Sequence, residues 1–234
     1  MADCFVLVPG AWLGGWCWRD VAAPLRARGH DVIGATLTGL GERMHLATRQ
    51  TGLETHVADI ANLLRYRDLT DVVLVGHSYG GTVITAVAEL VAERVGRLVY
   101  LDASVPTDGQ SNNDVIGDAM ASEMRTRAER DGDGWRVPPA AYVTERLSEP
   151  LRSRVAARLT PHPWRCFAEP VRLSSHKAAA LPRAFLRTTP SALYAGLIER
   201  ARNAGWYTRE LGGGHYAMLS QPDSIASALL ELAR

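Results

Sequence analysis

Three cysteines in 234 residues, at Cys4, Cys17 and Cys166, are too few and too widely spaced for a disulfide framework or a Cys-based zinc site. Free thiols in a reducing compartment are the simple account. No run approaches the ~18 consecutive apolar residues of a membrane span. The first apolar run, Phe5-Val6-Leu7-Val8, is too short for a signal-peptide core and has no basic stretch before it, so a cytoplasmic protein is expected. Neither sign of charge dominates: the formal net charge is +1, and there is no dense Lys/Arg run. That speaks against a nucleic-acid footprint. There is no internal repeat and no low-complexity tract. What remains is a chain with 47% apolar and 22% charged residues, long enough for a substantial core. A small molecule, rather than nucleic acid or membrane, is the expected partner, and a homodimer stays open.

Short β-rich apolar runs alternate with helical spacing. Strands are expected at 4–8, 31–36, 71–76, 97–102, 183–188 and 206–211. Helices are expected at 17–28, 54–66, 80–93, 192–203 and 222–233. Such alternation predicts an α/β fold: a mostly parallel sheet of about six strands flanked by helices. Residues 105–180 break the rhythm. They open with a polar stretch, turn helical, and are punctuated by Pro138, Pro139, Pro150, Pro161 and Pro163. The chain therefore divides into a core, 1–104 and 181–234, and a helical cap or lid, 105–180, placed over the carboxyl ends of the strands.

The most informative stretch is Gly76-His77-Ser78-Tyr79-Gly80. It follows Asp71-Val72-Val73-Leu74-Val75 and precedes a helical run that begins at Gly81. Strand, G-x-S-x-G, helix is the context of a nucleophile elbow. Ser78 would stand at the tip of a sharp, strained turn, and Gly76 and Gly80 supply the room. The plainer alternative is a Gly-rich β–α turn carrying an inert serine.

A serine hydroxyl needs a base. Of seven histidines, His215 is the best placed. It follows Gly212-Gly213-Gly214 between the last strand and the last helix, on the sheet edge where Ser78 lies. His30 lies at the amino end of a strand, His77 points into the elbow, and His56, His162 and His176 read as surface or core residues. The usual place for the acid, the loop after 183–188, is Thr188-Thr189-Pro190-Ser191-Ala192 and holds no carboxylate. Asp102, one strand earlier, is the other workable position. Glu210, Asp223 or a dyad without an acid are weaker alternatives. The oxyanion donors expected are the backbone N–H groups of Tyr79 and Ala11, with Gly10 letting the backbone come close. Trp12 would then lie near the pocket, or serve as a core aromatic. His45 and Glu42 follow the second strand and could contact substrate or form a salt-linked loop. Met120, Met124, Trp135, Trp164 and Phe167 in the cap are candidate pocket residues; an inward-facing set would select a bulky, apolar substrate. No metal or cofactor pattern is visible.

With these pieces in place the chain resembles the α/β-hydrolases. It is more closely similar to the plant methyl-ester esterase and hydroxynitrile lyase group and its bacterial esterase relatives. The stretches that carry the likeness are FVLVPGAWLGGWCW at 5–18, GHDVIGATLTGLGERMHL at 29–46, DLTDVVLVGHSYGG at 68–81, VYLDASVPTDGQS at 99–111, RLTPHPWRCFAEPVRL at 158–173 and GGGHYAMLSQPDSIA at 212–226. The resemblance implies a helical cap between the sixth and seventh standard strands. Plant members carry their acid where this chain has Ser191. The family usually has His-Gly where this chain has Pro9-Gly10. The plant lyases have Thr at the position of Gly10 and Lys at that of Tyr216, so a cation to hold a leaving cyanide is missing here.

The expected activity is hydrolysis of a carboxylic ester or lactone through an acyl-enzyme, without a cofactor. A repurposed enzyme on the same site (a lyase, thioesterase or cyclase) and a non-catalytic ligand-binding protein are the alternatives.

Overall fold

In a computed structural model, which describes residues 3–145 and 147–233, six strands form one parallel sheet. They are β1 (Cys4–Val8), β2 (Asp31–Gly34), β3 (Val72–His77) and β4 (Val95–Leu101), followed, after a separate pair, by β7 (Arg183–Thr188) and β8 (Tyr207–Leu211). The separate pair is β5 (Arg136–Val137) and β6 (His162–Pro163). The sheet order is β2-β1-β3-β4-β7-β8. β3 is buried along its whole length, and β1 and β4 nearly so. Their unbroken apolar runs are what a sheet covered on both faces requires. The covering helices include α1 (Arg19–Ala27), packed on the helix Pro222–Leu230, and α2 (Leu53–Tyr66), packed on α3 (Gly80–Val91).

The chain runs from β1 outward to β2, then crosses back to β3 on the other side of β1. Strand order therefore reverses between β1 and β3. The crevice at the carboxyl ends beside such a reversal is where ligands bind in open α/β sheets. The loop after β1 and the turn after β3 meet there.

Residues 105–180 carry α4 (Asn112–Ile116), α5 (Asp118–Asp131) and several single-turn helices. No strand was expected in this segment, yet β5 and β6 pair antiparallel, Val137 opposite His162. Two residues per strand are too short for alternation to show in sequence. Several element ends also moved. Strand 31–36 stops at Gly34, and the helix expected from 192 begins only at Leu197, because Leu193 to Gly196 form a turn. Among the described residues no helix is long and apolar enough to cross a membrane.

Candidate active site

Ser78 sits between β3 and α3 with φ +53, in the left-handed region that L-residues rarely adopt. The flanking glycines explain how the turn closes. A Cβ on Gly76 would lie 2.5 Å from the Gly80 carbonyl oxygen, and one on Gly80 would lie 2.8 Å from the Val8 and Pro9 oxygens. Gly10 plays the same part from the other side. Its Cβ would come within 2.8 Å of Ser78 Cβ and 2.7 Å of His77 Nδ1. Gly10 is thus a close-approach residue under the elbow.

The β3–β4 register pairs His77 with Leu101, so Ser78 and Asp102 emerge side by side at the carboxyl edge. Asp102, with φ +40, is fully buried. His215 closes the set from the turn after β8, where Gly213 and Gly214 both have positive φ. His215 Nδ1 lies 2.7 Å from Asp102 Oδ2, and His215 Nε2 lies 3.0 Å from Ser78 Oγ. With the carboxylate accepting from Nδ1–H, the Nε2 lone pair faces the serine hydroxyl. Burial alone would raise the Asp102 carboxyl. The hydrogen bond with His215 and its charge, with smaller help from the nearby Ser191 hydroxyl, outweigh it and leave the group below its ordinary value. Thr188 N–H also points at Oδ1, at 3.5 Å. This arrangement can take a proton from Oγ and stabilise the imidazolium that results.

The His215 turn is held from behind. His77 Nε2–H donates to the His215 carbonyl at 2.8 Å. Burial pushes His77 down to about 3, so it is neutral. Tyr194 enters from the loop beyond β7, is buried, and borders the same space as Ser78. Burial raises that phenol, so it stays a donor.

Ala11 and Tyr79 both border the space in front of Ser78. Among the described residues, neither backbone N–H is taken by a protein acceptor. Each is held through its neighbourhood. Trp12, with φ +64, donates its N–H to His162 Nδ1 at 3.3 Å and its indole N–H to the Val137 carbonyl at 2.9 Å. The Tyr79 hydroxyl meets His56 Nδ1 at 3.0 Å, and His56 Nε2–H donates to the Thr38 carbonyl at 2.8 Å. His56, His162 and Cys166 place ligand atoms within 4.8 Å of one another. A cation there would compete with the Trp12 N–H and the Tyr79 O–H for the imidazole lone pairs. It would also need a thiolate, which burial of Cys166 disfavours. The cluster works as a hydrogen-bonded brace.

The cleft has two ends. A wide one of about 220 Å³ runs past His215 along Pro190, Ser191 and the Gly213-Gly214 turn, and a narrow one of about 30 Å³ lies at Ser78. Met120, Tyr142 and Leu193 border both. Met124, Phe167 and Trp12 border the narrow end. No Lys, Arg, Asp or Glu lines either end among the described residues. Two residues expected to contact substrate do not line the cleft. His45 is exposed on the short helix Gly41–Leu46 and lines neither end. That helix follows β2, the edge strand, with β1 between it and the elbow. Its neighbour Arg43 pairs with Asp59 at 3.0 Å, the salt-linked alternative. Trp164 is half-buried against the core under the Arg125 guanidinium, and Phe167, three residues on, takes the inward position. Trp135 likewise packs against Arg136 outside the cleft.

Sequence reasoning missed Tyr194 and the two bracing histidines, and it saw Ser191 only as a missing acid. A lone Tyr or His in an apolar segment carries no signal that separates these roles from core packing.

A family model described as "Alpha/beta hydrolase family" matches residues 5–228. A "Carbendazim hydrolyzing esterase" of Nocardioides sp. (strain SG-4G) is 35% identical over 240 residues, covering 97% of this chain and 98% of that protein. "Putative methylesterase 14, chloroplastic" of Arabidopsis thaliana is 26% identical over 249 residues, covering 98% of this chain and 72% of that protein. In fold, a Paenibacillus extracellular alpha/beta-hydrolase, described as sharing homology with tobacco salicylic acid binding protein 2, superposes with a TM-score of 0.86 at 23% identity over 99% of both chains. Tomato methylketone synthase I superposes with a TM-score of 0.82 at 20% identity over 100% of this chain and 98% of its own.

Proposed function

The chain belongs to the alpha/beta hydrolase family, and within it we propose a Ser-His-Asp carboxylic-ester hydrolase that works on small, uncharged, hydrophobic substrates through an acyl-enzyme. Its relatives point to esterase-type hydrolysis, including an esterase that hydrolyses carbendazim and putative methylesterases. The observation that carries the reading is the continuous line of contacts Asp102–His215–Ser78, at 2.7 and 3.0 Å, opening on a cleft whose described lining has no Lys, Arg, Asp or Glu.

Each residue has a part. His215 Nε2 accepts the Oγ proton as Oγ attacks the ester carbon. Asp102 holds the ring in the tautomer that leaves Nε2 bare and stabilises the imidazolium. The Ala11 and Tyr79 N–H groups receive the carbonyl oxygen as it gains charge. The imidazolium returns the proton to the leaving alkoxide. Water, deprotonated by His215, then frees the acid and regenerates Ser78. The lack of a cation in the cleft, with Tyr216 after the catalytic histidine, fits ester cleavage better than release of cyanide.

The test is hydrolysis of 4-nitrophenyl acetate by wild type and Ser78→Ala, with a small fluorophosphonate as an active-site label. Turnover and labelling in wild type, and neither in the variant, is the expected result. A wild-type protein that is neither active nor labelled would count for a ligand-binding protein.

A further inference from the structure

The two ends of the cleft differ about sevenfold in volume, and the catalytic geometry assigns one to each half of the substrate. Resting on the ester-hydrolase reading above, we propose that this enzyme selects esters with a small acyl group, of about acetyl size, on a large, flat, apolar alcohol.

The tetrahedral intermediate has four substituents on carbon, and three directions are set by the protein. Oγ of Ser78 forms the new bond. The oxyanion faces the Ala11 and Tyr79 N–H groups. The alkoxy oxygen must face His215 Nε2, because that atom returns the proton when the C–O bond breaks and the electron pair leaves with the alcohol. His215 borders both ends, but its own turn, Gly213 and Gly214, and Pro190 and Ser191 border only the wide one, while Ser78, Ala11 and Tyr79 border only the narrow one. The alcohol part therefore occupies the wide end. The fourth direction, left for the acyl substituent, is the narrow end between Trp12, Met124 and Phe167.

The volumes then set the class. About 30 Å³ is room for about two waters, or for a methyl or methoxy group and little more. About 220 Å³ accommodates a fused aromatic bicycle. Gly213 and Gly214 put no side chains into that space, so a planar ring can lie against the turn. Met120 and Met124, four residues apart on one face of α5, mark the boundary: Met120 borders both ends and Met124 only the narrow one.

The test is a pair of isomers, 2-naphthylmethyl acetate and methyl 2-naphthylacetate, which share a formula and differ in which side of the ester bears the ring. kcat/KM should favour the acetate by at least about 100-fold, since the naphthyl group does not fit the narrow end. Equal rates, or preference for the methyl ester, overturn the assignment while the ester-hydrolase reading stands. Hydrolysis of neither isomer, with Ser78 still labelled by the fluorophosphonate, does the same. Failure of labelling overturns the ester-hydrolase reading, and this inference with it.

Discussion

Replacing Asp102 by Asn tests the site at its most buried joint. Two donors reach this carboxylate: His215 Nδ1–H at 2.7 Å and Thr188 N–H at 3.5 Å. An amide offers one oxygen and one NH2. If its oxygen stays with Thr188, its NH2 faces His215 and donates to Nδ1. The ring then carries its proton on Nε2, where it blocks transfer from Ser78 Oγ. The shape of the site is kept and the tautomer is wrong. Where the same swap has this effect in other serine triads the loss in kcat is about 10⁴-fold, or about 5.4 kcal/mol of transition-state stabilisation. The assay is the steady-state rate on 4-nitrophenyl acetate, with circular dichroism and a thermal melt to show that the variant is folded. A folded Asp102→Asn variant that keeps kcat within about tenfold of wild type would refute the reasoning, because no orienting acid is then needed at that position.

Three further outcomes follow from the same contacts. In the Asp102→Asn/Ser191→Asp double variant, a carboxylate at the end of β7 should restore at least about tenfold of the lost kcat; no recovery would mean that an acid there does not reach His215. His162→Phe keeps a ring among its aromatic neighbours but takes the acceptor from the Trp12 N–H. It should lower kcat about 10- to 100-fold with KM within about threefold, and His162→Gln should lose less; a change in KM alone would argue against a role in holding the oxyanion loop. Stability should fall in mild acid. His77 stays neutral in the fold down to about 3, whereas in the unfolded chain it takes a proton below about 6.5. The unfolded state thus binds more protons as pH falls through that window, and His77 alone costs about 2 kcal/mol between pH 6.5 and 5. Buried His56 and His162 shift in the same direction and add to it. Urea melts at about pH 7 and 5 that give equal stability would falsify this account.

The elbow was legible because its constraints are local. A buried apolar strand, two glycines that leave no space for a Cβ, and a helix directly after them all lie within about twenty residues. His215 was legible from chain order and its glycine turn. The cap was not. His162 meets Trp12 across 150 residues of sequence, and nothing in His162-Pro163-Trp164 distinguishes a brace from a core residue. Trp164 and Phe167 sit on one turn, both aromatic, and only the packing of that turn against α2 and α4 decides which faces the cleft. His45 lies off the cleft for a topological reason. Lying after a strand is not enough when the strand is at the edge of the sheet and another stands between it and the nucleophile.

The acid was ambiguous in sequence, and the fold gives that ambiguity a physical basis. β4 and β7 are neighbours in register, Leu101 beside Leu186, so their carboxyl ends open side by side under His215. An imidazole Nδ1–H needs one buried carboxylate at hydrogen-bond distance and is indifferent to which strand supplies it. In this chain the acid stands at the end of β4, and the loop after β7 holds Ser191 near the same carboxylate. Ser191 is thus more than a vacated acid position. Its hydroxyl favours the ionised Asp102 against its burial, and it leaves the wall of the wide end uncharged on the side where an apolar alcohol would lie. A carboxylate at 191 would border that wall directly. An acid one strand inward would orient His215 and leave that wall uncharged, so the proposed role of Asp102 and the proposed preference for apolar leaving groups rest on the same arrangement.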